Sequence, residues 1–335
     1  MVKVLASAPG KVTLFGEHAV VYGYPAIVTA INKRVYVEAE LRNDNEIKIN
    51  AQDLRVPGLI VSIGEGEVVV TTDYGRSLAA MSYLSKAIEV TSKFLNERKG
   101  VNLVVTSEMP VGAGLGTSAA VSVATIAAYA TCLGHELSSE VIAQLGWQVE
   151  KEVQGIASPM DTTISALGGT LKLWYEGTTV HKTPLALSSE LPLVISYVER
   201  EKTTKEMVAK VKELRNRHSE LVDEIMKSIG FVTNKAEQAL LKNDLSEVGL
   251  LMNVNHGLLD ALGVSTRRLN ELVYLARSSG ALGSKLTGAG GGGATISLVQ
   301  NSKAELVLNV LSMFSLMSFK AVINTEGVKV KVLAK

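Results

Sequence analysis

Cysteine is almost absent from this 335-residue chain, Cys132 being its one instance. A single thiol excludes an intramolecular disulfide and any metal site built from clustered thiolates. It lies in a small, apolar helical run, AAYATCLG, where a buried structural thiol is expected rather than a nucleophile. Surplus charge is missing too: 34 Lys and Arg oppose 33 Asp and Glu, a net charge of +1. Bulk electrostatics therefore gives no reason to expect nucleic acid or an anionic membrane as partner. The longest apolar run, 119–133, is broken by Ser122, Thr125 and Thr131. It falls short of the roughly 20 residues a membrane span needs. The N-terminus MVKVLASAPGK has no apolar stretch behind its charge and does not read as a signal peptide. No internal repeat or low-complexity tract is visible, and a soluble intracellular protein is expected.

What is present is enough apolar material for a sizeable core, 47% of residues against 20% charged. That balance excludes a disordered chain. The length exceeds the roughly 250–300 residues at which one core stops growing, so two domains are expected. The boundary falls in 176–192, rich in Ser, Thr and Pro and without clear period. In the first half, Val35, Val37, Ala39 and Leu41 alternate as in a strand with one buried face, and EIKINA and VNLVVTS are shorter strand candidates. Helical periodicity predicts helices over 77–98, 117–133 and 138–153. Beyond the boundary LVISYV reads as a strand and 204–229 as one long amphipathic helix. Two capped helices follow over 244–262 and 265–279, and ATISLV and VKVKVLA return to strands. Helices set against an antiparallel sheet predict an α+β fold in both halves.

Three glycine-bearing segments carry the chemistry. In PVGAGLGTSAAVSVA, Gly112, Gly114 and Gly116 alternate between a strand and a long helix. Glycines there let the main chain turn tightly and bring its N–H groups near an anion. The helix start adds unpaired amides and the positive end of its dipole. A phosphate chain fits such a place, with the Thr117 and Ser118 hydroxyls available to phosphate or Mg²⁺. A Walker A loop would require a lysine that is missing, and a Rossmann fingerprint a third glycine where Thr117 stands. The second segment, SAPGKVTLFGEHAVVYG, brings Lys11, Glu17 and His18 within eight residues. Lys11 could orient a phosphate or acidify a hydroxyl; on its own each residue is as readily a structural group. In the third, SKLTGAGGGGATISLV, Gly288 and Gly290 to Gly293 put five glycines in six residues. That is costly in backbone entropy, and implies close approach to a ligand or to the first loop across a cleft. Near the third predicted helix, Glu150, Glu152 and Asp161 could hold Mg²⁺ or accept a proton. Pro159 is expected to stiffen a loop around Asp161. Helical phase places Glu152 nearer the centre of the apolar stripe and Glu150 toward its edge. It does not choose between them.

These motifs, in this order, resemble the GHMP kinase superfamily over nearly the whole chain. APGKVTLFGEHAVVYG and PVGAGLGTSAA look like the branch acting on mevalonate, and MNVNHGLLDALGVS is similar to a stretch of the same branch. The resemblance implies a two-domain α+β kinase with ATP and substrate in the cleft between domains. Its ATP-binding domain would span 1–180 and its C-terminal domain 190–335. It implies that Pro110, Val111, Gly112, Ala113, Gly114, Leu115, Gly116, Thr117, Ser118, Ala119, Ala120 and Val121 hold ATP. Ser118 and Glu150 would bind Mg²⁺, Glu150 being chosen over Glu152 because it stands eleven residues before Asp161. Asp161 would be the catalytic base with Lys11 beside it. Glu17, His18, Lys202 and Thr204 would contact the acceptor together with Lys11. Lys202 stands where some members carry arginine, and Arg200 could substitute for it. A cytoplasmic homodimer is implied as well. Another small-molecule kinase of this fold, acting on phosphomevalonate or on the 3-hydroxyl of mevalonate, is the alternative. A non-catalytic nucleotide-binding regulator would be expected to have lost Asp161, Lys11 or the Ser118 hydroxyl.

Overall fold

The structure is a computed structural model that describes residues 2–51, 59–63, 68–72, 74–110, 112–155, 157–176, 179–187 and 191–334. Val111 lies outside the described residues. The first sheet contains β1 (Lys3–Phe15), β2 (Ala26–Leu41), β3 (Ile47–Ala51), β6 (Val101–Ser107), β7 (Thr170–Glu176), β8 (Thr179–Pro184) and β13 (Lys329–Ala334). Its order is β13-β1-β2-β6-β3, with β7 on the other half of β2 and β8 on β7. All pairs are antiparallel except β3 with β6. The expected alternation holds in β2, where Val35, Val37 and Ala39 are buried and Tyr36, Glu38 and Glu40 are not. A hairpin, β4 (Leu59–Ile63) with β5 (Val68–Thr72), stands apart. Helices α1 (Tyr74–Leu95), α2 (Thr117–Cys132), α3 (Ser139–Gln154) and α4 (Met160–Leu167) complete this lobe. The α2 sequence is small and apolar all round, and nearly every residue is buried between sheet and helices, as such a composition demands.

The second lobe has a four-stranded antiparallel sheet of β9 (Leu193–Val198), β10 (Gly283–Leu286), β11 (Gly293–Leu298) and β12 (Met317–Ala321), in the order β10-β11-β9-β12. Helices α5 (Thr204–Arg217), α6 (Ser219–Leu241), α7 (Leu245–Ala261), α8 (Arg267–Ser278) and α9 (Ala304–Ser312) belong to it.

Several expectations need correction. The single helix over 204–229 is two, α5 and α6, parted at His218 (φ −140°, ψ 61°). The apolar stripe runs on through both helices, so periodicity does not register the break. Asp161 is not in a loop: Pro159 starts α4, and Asp161 is in its first turn. The first helix begins earlier and ends earlier than 77–98, at Tyr74 and Leu95, and Asn96 with a φ of 52° supplies its left-handed stop. The stretch 176–192 contains β8, an edge strand whose exposed polar residues carry no period. The second unit does not run unbroken to 335, because β13 leaves it and pairs with β1.

Where α7 meets β10, His256 Nδ1 accepts the Leu286 N–H at 3.3 Å, while Nε2 donates to Asn270 Oδ1 at 3.0 Å. Only a neutral ring can accept at Nδ1. Burial, reinforced by the Arg277 charge, lowers this histidine from 6.5 to about 4. The unfolded chain therefore takes up a proton at a pH where the folded one does not. The stabilisation is full above pH 6.5 and is lost as pH falls toward about 4, at most about 3 kcal/mol at 1.36 kcal/mol per pH unit. In thermal melts from pH 7 to pH 4, His256→Asn is expected to lose less stability than the parent. Parallel curves would contradict this role.

Candidate active site

Strand β1 carries Lys11, and its outer edge changes partners along its length. Lys3 to Ser7 pair with β13, and beyond that the strand is free of it. There the Lys11 N–H donates to Leu115 O (2.8 Å) in the glycine loop. Two residues on, Thr13 N–H donates to Thr287 Oγ1 (2.9 Å), whose hydroxyl donates to Thr13 O (3.0 Å). One strand thus touches both glycine loops. An irregularity in the pairing with β2 between Pro9 and Lys11 re-aims the lysine side chain. Its stem crosses Gly116, where a Cβ would stand 2.8 Å from Lys11 Cγ. Its Nζ lies 3.1 Å from Asp161 Oδ1. Lys11 is 4% exposed, whereas the Asp161 side chain keeps 29%. The pair therefore has a buried cationic end and a carboxylate open to solvent.

Gly112, Gly114 and Gly116 all have positive φ (78°, 81° and 74°). No side chain caps the first turn of α2, which leaves its amides available to an anion. The two hydroxyls there divide their work. Thr117 donates to Pro110 O (3.2 Å) and ties the loop to itself, while Ser118 donates to Glu150 Oε1 (2.8 Å). Glu150 is buried and Glu152 lies on the surface beside Lys86 at 3.4 Å, the reverse of the helical phase read from the sequence. Helix α3 packs against α1, α2 and α4 together, so its buried arc is wider than a single stripe and takes in Val149 and Glu150. Burial, with the Asp161 charge adding to it, pushes the Glu150 carboxyl up to about 8; Ser118 and Lys11 oppose this. Tyr83 on α1 stands close by, its phenol pushed up to about 12 by burial and by Glu150.

The third glycine segment closes on the first, as its glycines implied. A Cβ on Gly293 would lie 3.2 Å from Ala113 O, and one on Gly288 3.6 Å from Gly114 O. Glu17 and His18 sit in the turn after β1 and are both buried. His18 Nε2 contacts Ala289 O at 2.9 Å, and burial lowers its pKa. Glu17 faces Lys285 and Asn255. Lys202 points away, pairing with Glu206 at 3.7 Å on the exposed start of α5. Arg200 stands at the loop instead: its Nη1 donates to Thr204 Oγ1 (3.1 Å), and a Cβ on Gly114 would be 3.2 Å from its Nη2. Sequence reasoning missed Lys285, Thr287 and Asn255. The first two lie inside the third glycine segment, where only the glycines were weighed. Ser158 and Tyr175, joined by a hydrogen bond beside Asp161, carried no signal.

Comparison with known proteins places the chain in a family. The family profile "GHMP kinases N terminal domain" matches residues 82–169, "GHMP kinases C terminal" matches 236–314, and "Galactokinase galactose-binding signature" matches 2–40. The mevalonate kinase of Thermococcus sibiricus is 45% identical over 334 residues, covering 98% of each chain. The chain belongs to the mevalonate kinases of the GHMP kinase superfamily. The mevalonate kinase of Pyrococcus furiosus is also 45% identical, over 99% of this chain and 100% of its own. The crystal structure of the Methanococcus jannaschii mevalonate kinase superposes with a TM-score of 0.79 at 32% identity, covering 96% of this chain and 98% of that one. As a mevalonate kinase, the protein is an ATP-dependent small-molecule kinase with the α+β fold of that superfamily, and it belongs with the enzymes of isoprenoid biosynthesis.

Proposed function

We propose that the protein transfers the γ-phosphoryl group of ATP to the 5-hydroxyl of mevalonate, with Mg²⁺ as cofactor. The observation that carries this reading is the Lys11–Asp161 pair at 3.1 Å beside the uncapped start of α2. The relatives' printed activity supplies the acceptor. An aliphatic alcohol is a poor nucleophile, so its proton has to leave as the phosphoryl group arrives. Asp161 accepts that proton, and Lys11 holds the carboxylate in place while its charge faces the transferring group. The 110–121 loop and the first turn of α2 cradle the triphosphate. His18 and Thr204 lie on the acceptor side. There Arg200 is better placed than Lys202 to meet a carboxylate, since it already reaches the glycine loop.

The donor set fits a magnesium ion. Among the described residues no three His, Cys, Asp or Glu gather to hold a metal by themselves, and Mg²⁺ usually takes one or two carboxylates plus substrate phosphates. Ser118 Oγ and the Glu150 carboxylate are hard oxygen donors already in contact. A carboxyl held near 8 by burial and a like charge is one that a neighbouring divalent cation returns to its anion. Bound there, Mg²⁺ would neutralise charge on the phosphate oxygens. Ser118→Ala is expected to raise the Mg²⁺ concentration needed for half-maximal rate. An unchanged titration would remove Ser118 from the metal.

The reading is tested by ³¹P NMR of the product formed from ATP with mevalonate, phosphomevalonate, homoserine or galactose in turn. A phosphomonoester on the 5-oxygen of mevalonate is the expected product, and a signal only with another acceptor would replace it. A cytoplasmic homodimer belongs to the same proposal, and a monomer in sedimentation at working concentration would correct it.

A further inference from the structure

Resemblance assigned Glu17 to the acceptor, yet its carboxylate is buried and already bound by protein groups. Both oxygens are engaged, Oε1 by Lys285 Nζ and Oε2 by Asn255 Nδ2 at 3.2 Å. Glu17 is 4% exposed and Lys285 0%. The lysine makes a further bond to Leu286 O at 2.7 Å, which fixes its head in the plane of β10. Glu17 belongs to the first lobe and Lys285 and Asn255 to the second, on β10 and α7. This is a three-residue polar joint across the lobes, buried and directional. Next to it in the chain, His18 takes φ 61°, an unusual conformation for a non-glycine residue, with its ring against Ala289 O. On the other side Thr13 and Thr287 exchange two hydrogen bonds.

We propose that Glu17, Lys285 and Asn255 form a buried inter-lobe clamp that positions the acceptor pocket, Glu17 serving the reaction as a positioning residue and not as a substrate contact.

Stability alone is a poor reason to keep such a joint. Well-packed apolar side chains of the same volume generally stabilise as much or more than a buried ion pair. Asn255 Oδ1, moreover, has no hydrogen-bond partner among the described residues, a cost that a purely stabilising cluster would avoid. What the ion pair adds is registry. Two directional bonds to the Glu17 carboxylate, with the Lys285 head held by Leu286 O, fix the relative placement of the 16–18 turn and the 285–289 segment, where apolar contact would allow sliding. Those two segments carry His18 and the start of the third glycine segment, and β1, which leads into the first of them, also carries the Lys11 that pairs with Asp161. Charge balance matters here as well. The Lys11 ammonium is close enough to repel that of Lys285, and Glu17 neutralises the latter. Without Glu17 the crevice would hold a second uncompensated cation beside the Lys11–Asp161 pair.

The inference rests on the acceptor reading above, and steady-state kinetics with mevalonate and ATP separates the two. If the parent enzyme makes no phosphomevalonate, the proposed function fails. With an active parent, Glu17→Gln is expected to raise the mevalonate KM about 10-fold, which corresponds to 1.4 kcal/mol of lost interaction. Nucleotide affinity, read by calorimetry, is expected to stay within about 2-fold, on the scale where 1.4 kcal/mol is 10-fold. A merely structural defect would weaken both ligands together. The decisive variant is the pair Glu17→Gln with Lys285→Met, in which neither charge is left unmatched. It is expected to recover most of the KM lost in Glu17→Gln. If Glu17 instead touches mevalonate, the double variant keeps the whole defect and the proposal falls. Should a single charge deletion fail to fold, Asn255→Ser keeps both charges and gives the same reading. A severalfold rise in mevalonate KM with intact nucleotide binding supports the clamp, and an unchanged KM overturns it.

Discussion

Replacing Asp161 by Asn is expected to lower kcat at least ~10²-fold, the usual size of a lost general base, while nucleotide affinity survives. The substitution keeps the shape of the side chain and its place in the first turn of α4, so the phosphate-binding loop has no reason to move. What is removed is the negative charge, and with it the capacity to take a proton. Lys11, left without a carboxylate at 3.1 Å, would still face the phosphoryl group, so part of the electrostatic catalysis should persist. Single-turnover rates with saturating ATP and mevalonate give the number, and calorimetric titration of nucleotide gives the control. Near-parent turnover in this variant would take Asp161 out of the reaction.

The second large effect comes from a residue with no side chain. Gly116→Val is expected to reduce kcat/KM by about 10²-fold or more, the scale on which misplacing a reacting group by about 1 Å is felt. Two costs coincide at this position. The φ of 74° is unfavourable for a β-branched residue. A Cβ there would also stand 2.8 Å from Lys11 Cγ, so the stem of the lysine is pushed off its path toward Asp161. Gly134, with φ 89° but nothing within 4 Å of its would-be Cβ, is the control. Gly134→Ala strains the backbone alone and is expected to leave kinetics unchanged while lowering thermal stability slightly. Equal kinetic loss in both variants would show that backbone strain, and not the lysine's route, explains the glycine.

Much of this was legible beforehand because local chemistry has local signatures. Alternating glycines ahead of α2 pointed to the positive-φ loop found there, and five glycines in six residues to a close approach, since Gly290, Gly291 and Gly292 each leave out a Cβ that would collide with a named atom. What was not legible depends on partners distant in the chain. Glu150 is buried because three helices surround α3, and no period within 138–153 contains that information. Glu17 lies 268 residues from Lys285, and nothing near either residue names the other. The break at His218 and the helix that begins at Met160 were missed for the opposite reason. There the local signal existed but was read as continuity in one case and as a stiff loop in the other.

The return of the final strand to the first sheet governs how the two lobes can move. The polypeptide crosses between them twice, once from Pro184 to Leu193 and again from Ala321 to Lys329. The second crossing is sewn to the first lobe by Asn32 N–H to Val322 O (2.9 Å), Val328 N–H to Ala166 O (3.0 Å) and the Arg34 guanidinium on Glu326 and Gly327 carbonyls. These tethers act together with the Glu17–Lys285 joint, which already fixes one relative placement of the lobes where it stands. Twisting or lateral shear would have to stretch one of the tethers.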